Sequence, residues 1–197
     1  MANTIPVNYE LQFEPLFHNF TFKGMEIITI SLSKATDSII LDAAELKIKK
    51  CHVEQGTKII TANASLNEKN ERLTIKLSKK IKGKAKLCIR FTGVLNDRLL
   101  GFYKSQYKDN KGKTKYLATT QFEAADARRA FPCWDEPAVK ATFDVSLLVD
   151  RHHDAISNMP VISKKTVDSK ILYKFGRTPI MSTYLLYLGV GEFEYLH

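Results

Sequence analysis

Only three of the 197 residues are cysteine, at positions 51, 88 and 133. They are odd in number and widely spaced, with no Cys-x-x-Cys pair, so neither a disulfide framework nor a structural zinc site follows from them. Histidine is also sparse, with five residues. The one adjacent pair, His152 and His153, falls in an expected loop without the helical His-Glu-x-x-His context that zinc peptidases use, so no metal site is expected within this chain. No apolar run approaches the roughly 18 residues needed to cross a bilayer. The opening Met-Ala-Asn-Thr-Ile-Pro has neither the basic start nor the apolar centre of a secretory signal. A soluble, cytoplasmic protein without membrane contact is the expectation. With six prolines and nine glycines there is no linker rich in Pro, Gly or Ser, and no repeat or low-complexity tract, so residues 1–197 read as one continuous domain.

Basic charge is abundant. Thirty Lys and Arg against 21 Asp and Glu give a net charge of +9, which raises nucleic acid as a partner. The lysines concentrate at 47–50, 79–86 and 108–115. There they alternate with apolar residues or flank turns, and no aromatic and arginine platform of the kind that binds single strands is interleaved with them. A solvated lysine-rich surface is the better reading, and no nucleic-acid partner is expected.

The dominant hydrophobic period is two. Val7, Tyr9, Leu11 and Phe13 alternate with polar residues, as do Ile28, Ile30 and Leu32, and the pattern returns at 73–77, 85–91 and 143–147. Apolar stretches at 39–41, 59–66 and 184–193 add further strands. Gln55-Gly56, residues 67–70, Lys82-Gly83 and residues 109–112 supply turn chemistry between runs. Long helical patterns and βαβ alternation are both missing, so an all-β antiparallel sandwich is expected. One short helix is expected near residues 124–130, where four alanines raise helix propensity and Pro132 ends it.

Residues 119–137, Thr-Thr-Gln-Phe-Glu-Ala-Ala-Asp-Ala-Arg-Arg-Ala-Phe-Pro-Cys-Trp-Asp-Glu-Pro, break the strand pattern with dense charge, the kind of segment where a rigid sheet carries a site. This run resembles the zinc aminopeptidases of the gluzincin type, most closely their puromycin-sensitive and tricorn-interacting branch. The same likeness extends to Pro-Val-Asn-Tyr-Glu-Leu at 6–11, Phe-Lys-Gly at 22–24, Lys-Ala-Thr-Phe-Asp at 140–144, Ser-Asn-Met at 157–159 and Thr-Pro-Ile-Met-Ser-Thr-Tyr-Leu at 178–185. It covers essentially the whole chain and implies the saddle-like N-terminal β-sandwich of such an enzyme. The Gly-x-Met-Glu-Asn and His-Glu-x-x-His motifs, which the resemblance assigns to a following catalytic domain, are absent here. The resemblance therefore implies zinc in the parent enzyme but none held by this chain, no catalytic residue within it, and two partners: peptide N-termini and the parent's catalytic domain.

An exopeptidase acting at the N-terminus must recognise a free ammonium, and a carboxylate can do so through a charge-assisted hydrogen bond. The resemblance assigns that role to Glu123 and places Gln121 beside the first side chain of the substrate. With Phe122 between them, Gln121 and Glu123 would project from one face of a strand. The resemblance also implies a cis peptide between Glu123 and Ala124. Asp126, Arg128, Arg129, Asp135 and Glu136 read as a structural charge network, Cys133 as a buried thiol and Trp134 as a packing residue. A surface suited to the catalytic domain is expected near residues 121–123 and 184–195. Two further readings stay open at this point: a non-catalytic relative serving as an interaction scaffold, and a basic binding module.

Overall fold

In a computed structural model that describes residues 3–194, the chain folds into two β-sheets over one aromatic core. The larger sheet runs in the order β10 (Val161–Val167), β11 (Lys170–Phe175), β8 (Lys140–Asp150), β1 (Thr4–Leu16), β2 (Thr21–Asp42), β5 (Arg72–Val94), β3 (Lys47–Gln55) and β4 (Lys58–Asn67), with the short β12 (Met181–Ser182) beside β8. The smaller sheet is β6 (Gly101–Lys108), β7 (Thr114–Gln121), β13 (Leu188–Gly191) and β9 (Asp154–Ser157). The expected all-β architecture is what forms.

Three local expectations differ. Among the strands, all pairings are antiparallel except β1 with β8, which run parallel with Tyr9 opposite Phe143. Lys82-Gly83 is no turn but lies inside β5, because β5 pairs first with the far half of β2 and then, beyond the irregular stretch at residues 32–38, with its near half. The glycine takes φ +85° there and lets the strand continue. The helix expected near 124–130 shrinks to a 3₁₀ turn at Ala127–Arg129. Ala127, Ala130 and Phe131 are all buried, and so short a segment gains too little from propensity to hold an α-helix against that anchoring.

The core is built from rings. Phe13 meets Phe22, Phe91, Phe102 and Phe131 at centroid distances of 5.8–6.2 Å, within the range where edge-to-face packing adds to burial. Two glycines make this possible. Gly24 lies opposite Phe91 and Gly93 opposite Phe22 in the β2–β5 ladder. A Cβ on Gly24 would fall 2.1 Å from the Phe91 ring, and one on Gly93 2.3 Å from the Phe22 ring. Each ring lies across the bare backbone of its cross-strand partner.

The lysines behave as solvated surface. Those at 47, 49, 50, 79, 80, 82, 84 and 86 are exposed; elsewhere Lys23 meets Glu14 at 3.1 Å and Lys76 meets Asp37 at 3.0 Å.

Candidate substrate-amine site

Strand β7 delivers the segment singled out by its sequence. Gln121 is its last residue and is exposed, Phe122 is buried, and Glu123 is exposed again. The two polar residues thus keep the alternation of a strand, although the hydrogen-bonded ladder ends at Gln121 and Glu123 stands one step beyond it. Phe122 holds the position, its ring 6.2 Å from that of Phe131. The Glu123 amide donates to Gln121 Oε1 at 3.0 Å, and the Asp126 amide donates to the Phe122 carbonyl at 2.9 Å, closing a tight turn. The Glu123–Ala124 peptide is cis. The Gln121 carbonyl is committed to its own backbone, which leaves its amide N–H groups facing outward. Among the described residues the Glu123 carboxylate has no hydrogen-bond or ion-pair partner, so both oxygens remain available to a donor.

The charges that follow are locked in place. Arg128 Nε donates to Asp135 Oδ2 at 3.1 Å and Arg128 Nη1 reaches Glu71 Oε2 at 3.2 Å. Asp135 in turn takes Thr183 Oγ1 at 2.7 Å on its other oxygen, and its amide donates to Asp42 Oδ2 at 2.9 Å. Asp42, 1% exposed, also meets Arg72 at 2.9 Å. Arg129 binds Asp126, Glu45 and Glu71 at 2.8, 2.7 and 2.9 Å. Glu45 and Glu71 both hold left-handed φ values, 58° and 52°. That conformation is uncommon for a residue with a side chain, and here it belongs to corners whose carboxylates meet the two arginines. Asp126, Arg128, Arg129 and Asp135 therefore form a structural network that ties the 3₁₀ turn to the corners of the large sheet. Glu136 is exposed and takes no part.

Cys133 pairs by backbone with Asp42 and is fully buried. Burial, reinforced by Asp135, holds its thiol well above the usual range, which removes it as a nucleophile. The half-buried Trp134 packs against the core, and its amide donates to Tyr9 Oη at 3.3 Å.

A family model described as the Peptidase M1 N-terminal domain matches residues 5–185. The chain belongs to that family. It is 42% identical over 196 residues to a puromycin-sensitive aminopeptidase of Caenorhabditis elegans, 97% of this chain and 21% of the relative. It is 40% identical over 198 residues to Aminopeptidase 2 of Candida albicans and 39% identical over 198 residues to Aminopeptidase M1 of Arabidopsis thaliana, covering 99% and 98% of this chain and 21% and 22% of those proteins. The chain spans about a fifth of the length of these relatives.

The scattered segments that resemble the M1 N-terminal domain meet in space. Tyr9 stacks on Phe143 at 5.0 Å, joining the segments at 6–11 and 140–144. Asp144 accepts from Asn8 at 2.9 Å and from Arg177 at 2.9 and 2.7 Å. Thr178 Oγ1 accepts from the Phe143 amide, while Ser182 and Thr183 bond to Pro137 and Asp135. Of these residues, Tyr9, Ser182 and Thr183 hold the loop at 131–137 against the sheets. Beside β7, Tyr187 Oη bonds to Thr119 Oγ1 at 3.2 Å, and Ile180, Leu185 and Tyr187 are 72%, 49% and 37% exposed. Of these three exposed apolar residues, Tyr187 is the one that meets β7, the strand that carries Gln121. Tyr195, the end of the expected docking surface, lies outside the described residues.

Three groups escaped the sequence reading. The fold brings together His52, Glu54 and Cys88, and separately His152, His153 and Glu192, each with ligand atoms within 4.8 Å of one another. Strand pairing joins residues that linear spacing keeps apart, and in the sequence only the His152–His153 adjacency and the His52-x-Glu54 spacing point toward these groups. Neither group is a helical His-Glu-x-x-His site, since the only helical turns among the described residues are three residues long. The third is Glu26, fully buried with both carboxyl oxygens unpartnered, and burial holds its carboxyl well above the usual range.

Proposed function

We propose that residues 1–197 form the N-terminal domain of a cytoplasmic zinc-dependent aminopeptidase, in which Glu123 binds the substrate's terminal ammonium and Gln121 borders the position of its first side chain. The observation that carries this reading is the contrast within one loop. Asp126 and Asp135 are bound to arginines, whereas Glu123 two residues past Gln121 is exposed and unpaired. A free carboxylate presented from a turn pinned by Phe122 is suited to receive a cation from outside the domain, and a charge-assisted hydrogen bond of that kind is worth about 1.5–3 kcal/mol. The peptidase zinc belongs, in this reading, to the catalytic domain, and no residue of this chain ligates it. The exposed apolar side chains of Ile180, Leu185 and Tyr187 are, in this reading, covered by that domain. Three unpaired cysteines suit a reducing compartment. Nucleic acid and membrane have no part in the reading.

The test is Glu123→Ala in the full-length enzyme. Loss of kcat/KM by about tenfold to a hundredfold on free-amine peptides, with unchanged zinc content, is the expected result. Unchanged KM and kcat would return Glu123 to an ordinary surface carboxylate. Gln121→Ala is expected to reorder preferences among first side chains rather than to lower all rates equally.

A further inference from the structure

The outer face of the large sheet carries a cluster for which the proposed function has no use. On β3, His52 and Glu54 sit two residues apart and project outward, while Val53 between them is buried. On β5, Cys88 lies directly across from His52, and its other neighbour is Ile27 on β2. His52 Nε2 is 3.2 Å from Glu54 Oε1, and the three ligand atoms lie within 4.8 Å of one another. They border a concavity of about 230 Å³ that Met25, Lys50 and Arg90 also line.

We propose that His52, Glu54 and Cys88 form a binding site for one divalent ion of the zinc class, with a fourth position open to water on the outer face of the sheet. Metal–nitrogen and metal–sulfur bonds of about 2.0–2.3 Å in a tetrahedron require ligand atoms roughly 3.3–3.8 Å apart. The His52–Glu54 pair already stands close to that spacing, and a rotamer adjustment brings the Cys88 sulfur to it. The backbone cannot drift, because Val53, Leu87 and Ile89 anchor both strands in the core. A neutral imidazole, a carboxylate and a thiolate carry two negative charges, which balance the ion, and the thiol proton passes to solvent when the metal–sulfur bond forms. Nitrogen and sulfur donors select zinc, cobalt or nickel over calcium and magnesium. The Lys50 and Arg90 cations at the rim equally disfavour a hard, highly acidic cage.

The other cluster is a weaker candidate. Lys115 Nζ binds both carboxylate oxygens of Glu192, at 2.7 and 3.0 Å, so an ion at His152 and His153 must first displace an ammonium.

The experiment is a titration of the metal-free 197-residue chain with Co²⁺, followed by the thiolate-to-cobalt charge-transfer absorption. One equivalent is expected to produce the band, and Zn²⁺ to displace it. Cys88→Ser should abolish the band, and His52→Ala or Glu54→Gln should weaken binding at least tenfold. Cys51→Ser and His152→Ala should leave both unchanged. Independently of any variant, bound Zn²⁺ should slow alkylation of Cys88, mapped by mass spectrometry. No thiolate band in the unmodified chain, a band that survives Cys88→Ser, undiminished affinity in His52→Ala, or alkylation of Cys88 at an unaltered rate would each overturn the site.

Discussion

Glu26 shows how one residue can oppose the structure it belongs to. Leaving a buried polar group without a partner costs about 1–3 kcal/mol, and Glu26 has no partner for either oxygen. Its carboxyl is held neutral by burial. In the unfolded chain the same group ionises near its ordinary value of about 4.3. Between that pH and its raised folded value the native state therefore binds more protons, so its contribution to stability falls as pH rises. Glu26→Leu should stabilise the protein at neutral pH by about 1 kcal/mol or more, and the gain should shrink as pH is lowered toward 4, read from urea midpoints across pH. A gain that is the same at every pH would contradict the neutral carboxyl. The inward position of Glu26 was legible, since the alternation through Ile28, Ile30 and Leu32 carries back to it. What the sequence does not show is that no partner reaches its carboxyl, because that depends on the strands packed around it.

At the scale of elements, the strands were legible and their joints were not. Period-two alternation in β1, β2 and β8 marks one face for burial, and that face is buried except at Val7, which the irregularity between Pro6 and Asn8 leaves exposed. The continuation of β5 through Gly83, the parallel β1–β8 pair and the collapse of the expected helix to three residues depend on partners distant in sequence. The Gln121 and Glu123 alternation was readable for the same reason as the strands, whereas His52, Glu54 and Cys88 needed the β3–β5 pairing. Three predictions belong here. Arg128 lies among Asp42, Glu71 and Asp135; Asp42 and Glu71 keep Arg72 and Arg129, but Arg128→Met leaves the buried Asp135 without its cation and should cost about 3–5 kcal/mol in chemical denaturation. Arg98→Ala, which breaks only the half-exposed pair with Glu45, should cost no more than about 1 kcal/mol. Gly24→Ala drives a methyl group into the Phe91 ring and should destabilise by about 1–3 kcal/mol, with Gly24→Ala, Phe91→Leu recovering part of the loss.

For the molecule as a whole, two sheets and an aromatic core hold a charged loop rigid so that Glu123, just past the end of β7, is presented free. The exposed Ile180 and Leu185 follow the same logic, as residues that a second domain would cover. Ile180→Ser with Leu185→Ser should lower the thermal stability of the full-length enzyme while changing the unfolding free energy of the isolated chain by no more than about 0.5 kcal/mol. Unchanged stability of the full-length enzyme would argue that nothing docks there. The central claim is that Glu123 reads the substrate's amine, and a double cycle tests it most directly. Inhibition constants of a peptide analogue and of its counterpart lacking the terminal amine are measured on the full-length enzyme and on its Glu123→Ala variant. Glu123→Ala should weaken the amine-bearing analogue about tenfold to a hundredfold and leave the other unchanged, a coupling of about 1.4–2.7 kcal/mol. Equal weakening of both analogues would contradict the account.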